Sequence, residues 1–134
     1  MPAGYSGTPL AKKLGFKDGE GVFAAGMPAS VKAEIEAGAK PKWLKAAAKD
    51  LPAAHIFATQ AKALTAELKK LRPLLVKDGR VWVSWPKKAA KVETDITEDT
   101  IREIALPMGY VDVKVCAVDE TWSGLKLVIR KSER

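Results

Sequence analysis

Ala54-His55-Ile56-Phe57-Ala58-Thr59, then Ala61 to Leu75, then Arg80-Val81-Trp82-Val83-Ser84-Trp85 is the stretch that decides the fold. The first run is short and apolar and reads as a buried strand. In the second, Leu64, Leu68, Leu71 and Leu75 recur at helical spacing, while Glu67, Lys69 and Lys70 fall outside that stripe, so an amphipathic helix is expected over 61–75. Pro73 lies inside it and should end or bend it. Lys77-Asp78-Gly79 reads as a turn, and the third run is a strand stopped by Pro86. Strand, helix and strand at this spacing make a right-handed crossover between parallel strands.

The same alternation continues outward. Toward the amino terminus, Thr8-Pro9 predicts a helix start, with Thr8 as cap and Pro9 in the first turn, running to Leu14 and closed by Gly15. Lys17 to Glu20 is a turn, Gly21 to Gly26 a short strand, and Ala29 to Ala37 a helix stopped by Gly38. Residues 41–44 make a poor strand, diluted by Lys42 and Lys45. Toward the carboxyl terminus, Thr97 is an N-cap with Glu98 and Asp99 in the first turn, where the helix dipole favours anions. That helix carries Ile101, Ile104 and Ala105 and ends near Pro107-Met108-Gly109. Tyr110 to Val118 and Leu125 to Arg130 are strands joined by a hairpin loop over 119–124, too short for a crossover and therefore antiparallel.

These elements predict one α/β domain over 1–134: a three-layer Rossmann-like sandwich whose sheet of five or six strands is mostly parallel and ends in an antiparallel hairpin. Residues 1–15 form an arm and short helix ahead of it. The order resembles the class I methyltransferase fold. That resemblance implies a last strand inserted antiparallel beside residues 80–85. The phrases Tyr5-Ser6-Gly7-Thr8-Pro9-Leu10, Trp82-Val83-Ser84-Trp85-Pro86-Lys87-Lys88 and Val118-Asp119-Glu120-Thr121-Trp122-Ser123-Gly124 are also similar to those of a family of small bacterial proteins of unknown function. This second resemblance implies a cytoplasmic bacterial protein and brings no activity with it.

Composition narrows the function classes. The 134 residues are 47% hydrophobic and 29% charged, values of an ordinary globular domain. No apolar run reaches the length of a membrane span, and neither a secretory signal nor membrane association is expected. A single Cys116 excludes an internal disulfide, and a single His55 excludes a histidine cluster for metal. The net charge is +7. It is spread evenly, with 8 basic against 5 acidic residues in 1–53 and 15 against 11 in the remainder. That distribution describes a basic surface rather than a nucleic-acid arm, and a weak nucleic-acid patch is the less expected alternative.

The chemistry that the methyltransferase resemblance implies is not supplied by the residues. Binding S-adenosylmethionine calls for glycines after the first strand and an acid for the ribose. Here Phe23-Ala24-Ala25-Gly26-Met27-Pro28 has one glycine and no acid, and Lys42-Trp43-Leu44-Lys45 is basic. Thr59-Gln60 lacks both an Asn-Pro-Pro-Tyr pattern and a carboxylate. Cys116 sits mid-strand, His55 opens a buried strand, and Ser84 lacks a nucleophile elbow. No cofactor, metal or catalytic residue is expected.

A binding site is expected where open parallel sheets place ligands, at the carboxyl ends of the strands. Ser84, Trp85, Lys87 and Lys88 leave one strand there, and Asp119, Glu120, Trp122 and Ser123 leave another. If the first helix descends toward the first strand, Tyr5, Ser6 and Thr8 join them. The lysines would hold an anion and the tryptophans stack on an aromatic group. The expected function is non-catalytic binding of a small anionic or aromatic molecule. The alternatives are a homodimerising module and an S-adenosylmethionine-dependent methyltransferase.

Overall fold

The computed structural model describes residues 8–134. Its elements run α1 (Leu10–Leu14), β1 (Gly21–Ala25), α2 (Ala29–Glu36), β2 (Lys42–Leu44), β3 (Leu51–Phe57), α3 (Ala61–Leu71), β4 (Leu75–Pro86), α4 (Glu98–Ala105), β5 (Tyr110–Ala117) and β6 (Trp122–Ile129). The six strands form one sheet in the order β2-β1-β3-β4-β6-β5. Pairs β1–β2, β1–β3 and β3–β4 are parallel, whereas β6 is antiparallel to both β4 and β5. The expected mostly parallel, Rossmann-like sandwich with a carboxyl-terminal hairpin is the observed architecture. The last strand inserts beside β4 as the resemblance implied.

Two cores explain the layers. On one face, Leu64, Leu68 and Leu71 of α3 and Ile101 and Ala105 of α4 pack on Ile56, Val81, Val83, Trp85, Leu125 and Leu127. On the other, Leu10 and Leu14 of α1 and Val31 and Ile35 of α2 pack on Val22, Ala53, Phe57 and Trp82. Side chains alternate faces along a strand, so β4 feeds both cores at once. The Trp82 indole N–H donates to the Leu14 carbonyl at 2.8 Å, fixing the end of α1 to the sheet. Arg80 adds a second tie, donating to both Glu20 carboxylate oxygens at 2.6 and 3.1 Å and to the Gly15 carbonyl.

Several element ends differ from the sequence expectation, each for a local reason. Pro9, not Thr8, occupies the N-cap of α1, and its carbonyl accepts from Lys12 and Lys13. The expected Gly15 cap is present, with φ +74°. Helix α3 ends at Leu71 because Pro73 cannot continue it, and Leu75 pairs with Leu51 as the first residue of β4. Lys77-Asp78-Gly79 is therefore an irregularity inside β4 and not a separating turn: the register passes from Leu51–Leu75 to Ala53–Arg80. The expected loop over 119–124 is shorter, since Trp122, Ser123 and Gly124 already pair in β6. Residues 42–44 do form a strand, the sheet edge β2. Thr97 caps α4 through a reciprocal box with Thr100.

At the other edge, β5 carries a bulge. Asp112 pairs with Leu127 and Lys114 with Lys126, leaving Val113 as the extra residue. Val113 and Val115 are exposed there. Arg102 of α4 anchors this strand, donating to Asp112 at 2.9 Å and also pairing with Glu98.

His55 is a titratable side chain fully buried in the sheet. It is 0% exposed, with Nε2 2.7 Å from the Ser84 hydroxyl and its ring 4.4 Å from that of Phe57. Desolvation lowers its pKa from 6.5 to about 3, so the neutral imidazole is the native form. Protonation then favours the unfolded chain. The stability this group contributes is complete above pH ~6.5 and falls steadily as the pH drops toward 3. Urea titrations should show His55→Gln with a flatter acid limb than the parent between pH 6.5 and 4; parallel limbs would contradict this assignment. At Gly26, φ is +69° and a Cβ would lie 2.9 Å from the Phe57 carbonyl oxygen. Gly26→Ala should cost at least about 1–2 kcal/mol of unfolding free energy, read from the urea midpoint.

Candidate functional site

Connections from β1 leave toward β2 on one side, and the chain then crosses to β3 on the other. The sheet order thus reverses between β1 and β3. Loops diverge at such a point and leave a crevice outside the carboxyl ends of the strands. Three hollows lie there. One of about 210 Å³ is bounded by Gly26, Phe57, Ala58, Ala63 and Glu67. A second, of about 540 Å³, shares Thr59 and Gln60 with it and adds Lys62, Glu93, Thr94 and Asp95. A third, of about 500 Å³, shares Gly26 and adds Met27, Lys32, Trp43, Leu44 and Lys45. They form a chain across the ends of β2, β1 and β3.

The third hollow has the most distinct chemistry. Trp43 is half-buried and rigidly held: its indole N–H donates to Glu36 at 3.0 Å, and its ring meets Phe16 edge-on at 6.4 Å. Lys32 and Lys45 are exposed beside it. Helix α2 starts at the same place with Pro28 at its N-cap, no side-chain cap and no acid in its first turn. The positive end of the helix dipole is left uncompensated, adding to the lysine charge.

Two carboxylates of the crevice, Asp95 and Glu67, have partners in the fold. Asp95 accepts the Ala61 N–H at 2.6 Å and so caps α3 from a distant loop. Thr94 donates its hydroxyl to the Thr59 carbonyl at 2.7 Å, closing that loop over the end of β3. Glu67 pairs with Lys70 at 3.0 Å through one oxygen, and its other oxygen is buried without a partner. Among the described residues no group of three or more His, Cys, Asp or Glu is placed to hold a metal ion, and no helix is long and apolar enough to cross a membrane.

The residues expected from sequence are distributed differently. Tyr5 and Ser6 lie outside the described residues. Thr8 precedes Pro9, which packs against Gly38 beyond the carboxyl end of α2. That is the amino-end edge of the sheet, where Lys42 N–H meets the Glu20 carbonyl, so Thr8 does not join Lys87. The expected descent of α1 fails because the helix packs beside α2 near Gly38 before reaching β1.

The other two segments do meet. Lys87 donates its backbone N–H to the Thr121 carbonyl at 2.7 Å, and Pro86 pairs with Trp122. Lys88 starts a short 3-10 turn, with Lys87 preceding it. In this cluster Asp119 accepts the Thr121 and Trp122 N–H groups at 2.8 Å each, holding the hairpin. Trp122 packs edge-on against Phe57 at 5.1 Å. Ser84 is buried on His55 and Trp85 is buried in the core. Ser123 pairs with Trp85 and Ala117, and Glu120 is exposed in the loop. None of the three hollows is lined by these residues. Trp43, Lys32 and Lys45 were missed by sequence reasoning because a three-residue lysine-flanked strand carries little signal. Only the reversal of strand order would have pointed to them.

No protein-family model matches the sequence, and no curated protein sequence matches it. Solved structures do match in shape. A SAM dependent methyltransferase from Aquifex aeolicus aligns at TM-score 0.63 and 14% identity, covering 90% of this chain and 87% of that one. A protein described as a possible exported protein from Bordetella parapertussis aligns at TM-score 0.61 and 9% identity, over 90% and 66%. A type 11 methyltransferase assignment from Sulfolobus solfataricus aligns at 0.57 and 13%, over 88% of each chain. At such identities the likeness is one of fold, and the fold of this chain is that of the class I methyltransferases.

Proposed function

We propose that this protein binds a small molecule with an anionic or aromatic group across the carboxyl ends of β1 and β2, without catalysing a reaction on it. The observation that carries this reading is the hollow at the strand-order reversal, where an immobilised Trp43 face adjoins Lys32, Lys45 and the uncapped start of α2. Three features support a non-catalytic role: Asp95 caps a helix, Glu67 pairs with lysine, and the one imidazole lies sequestered inside the sheet.

A second reading, S-adenosylmethionine binding, is favoured by one observation, the methyltransferase fold itself. Against it stand the basic end of β2, where the ribose would ask for an acid, and the role of Gly26. The missing Cβ of Gly26 clears the Phe57 backbone.

Thermal-shift screening against anionic and aromatic metabolites should give a melting-temperature rise of a few degrees for at least one class. Trp43→Ala and the double variant Lys32→Ala/Lys45→Ala should each lose it. Loss in Lys87→Ala with retention in the Lys32/Lys45 variant would move the ligand to the β4–β6 end of the rim. A panel with no response rejects the reading. Calorimetry with S-adenosylmethionine should show no saturable heat, and a micromolar isotherm would establish the second reading instead.

A further inference from the structure

The face of the β5–β6 hairpin on the α1 side carries charge that the fold does not neutralise. Leu125, Leu127 and Ile129 point into the core shared with α3 and α4. Lys126 therefore points to the opposite face. Its partner across the ladder is Lys114. Like charges directly opposite on neighbouring strands are destabilising. A third cation joins from α1: the Lys114 ammonium lies 3.5 Å from the Lys13 carbonyl, and the Lys13 ammonium donates to the Ala117 carbonyl at 3.3 Å.

No carboxylate answers them. The ion pairs among the described residues involve none of the three lysines. Glu20 pairs with Arg80 at 2.6 Å. Residues 1–7 contain no Asp or Glu. Burial lowers the Lys126 pKa first, and the neighbouring charges that act on it, Arg80 and Lys114, are both positive and lower it further. Each ammonium has three donors and the backbone carbonyls use at most one, so several N–H groups are left to point outward.

We propose that Lys13, Lys114 and Lys126 form a binding site for a compact phosphate-class dianion, such as a pyrophosphate or phosphate monoester group. A dianion seated between them relieves the cross-strand repulsion and is itself held by charge-assisted hydrogen bonds. Lys114 faces Lys126 across the ladder, and Lys13 and Lys114 both act on the neighbouring Cys116 thiol, so the three cations gather over a short stretch of the hairpin, which suits a compact group. A polymer backbone would ask for cations in a row. The site is independent of the crevice at β1–β3, since β4 and β6 lie between β3 and β5 in the sheet.

Sodium pyrophosphate titrated at low ionic strength, followed by amide and lysine ammonium NMR shifts, tests this. The expected result is saturable shifts at Lys13, Lys114 and Lys126 that weaken at least tenfold in Lys114→Met/Lys126→Met. The charge-matched control Lys69→Met on α3 should keep them. Without anion, the double variant should melt above the parent, as the repulsion is gone, and pyrophosphate should no longer raise its melting temperature. Should that variant fail to fold, Lys126→Gln alone is expected to weaken binding several-fold. Absent shifts at millimolar pyrophosphate, or equal weakening by Lys69→Met, would overturn the proposal. So would steeply salt-dependent binding of an oligodeoxythymidine with no response to pyrophosphate, which would assign the face to a polymer.

Discussion

Strand β4 crosses the middle of the sheet with Val81, Val83 and Trp85 in one core and Trp82 in the other. Its parallel neighbour β3 is buried from Ala53 to Phe57. Parallel strands of this kind are stable only when both faces are covered. That demand places α3 and α4 on one side and α1 and α2 on the other. Two side chains of β4 tie the α1 side to the sheet: Arg80 to Glu20 and Gly15, and Trp82 to Leu14. The helices are short and would not hold themselves together in water, so the sheet organises them rather than the reverse.

The crevice is a by-product of the same order. Because β2 and β3 lie on opposite sides of β1, the loops after β1 and β3 part company above Gly26 and Thr59. In the fold shared with the methyltransferases this location is fixed by topology. What the location can do is set by side chains, and here it holds lysines and a tryptophan.

Much of the architecture could be read from residues. The leucine spacing of α3, the Thr97 cap of α4 and the Gly15 stop of α1 are local signals, and local signals survive tertiary packing. The Lys77–Gly79 stretch misled because a turn sequence and a strand irregularity share the same glycine and aspartate chemistry. The rim was legible only in part. Residues 86–88 meet 121–122 because adjacent strands require it, whereas the path of residues 8–9 depends on α1 nesting beside Gly38, a contact with no sequence period. The Lys114–Lys126 opposition was hidden for a similar reason. A strict ladder running from Asp112 opposite Leu127 would set Lys114 against Leu125, and the extra residue at Val113 shifts the pairing.

That extra residue has a second effect. Strand β5 ends the sheet, and an open edge with exposed Val113 and Val115 is ordinarily a template on which another extended chain can polymerise. With one residue displaced from the ladder, the outward N–H and C=O groups fall out of phase midway along the strand. An incoming segment can match the half before Val113 or the half after it, and neither is long enough to nucleate a growing fibre. The bulge sets the edge out of phase with an incoming strand, with its valines still facing solvent.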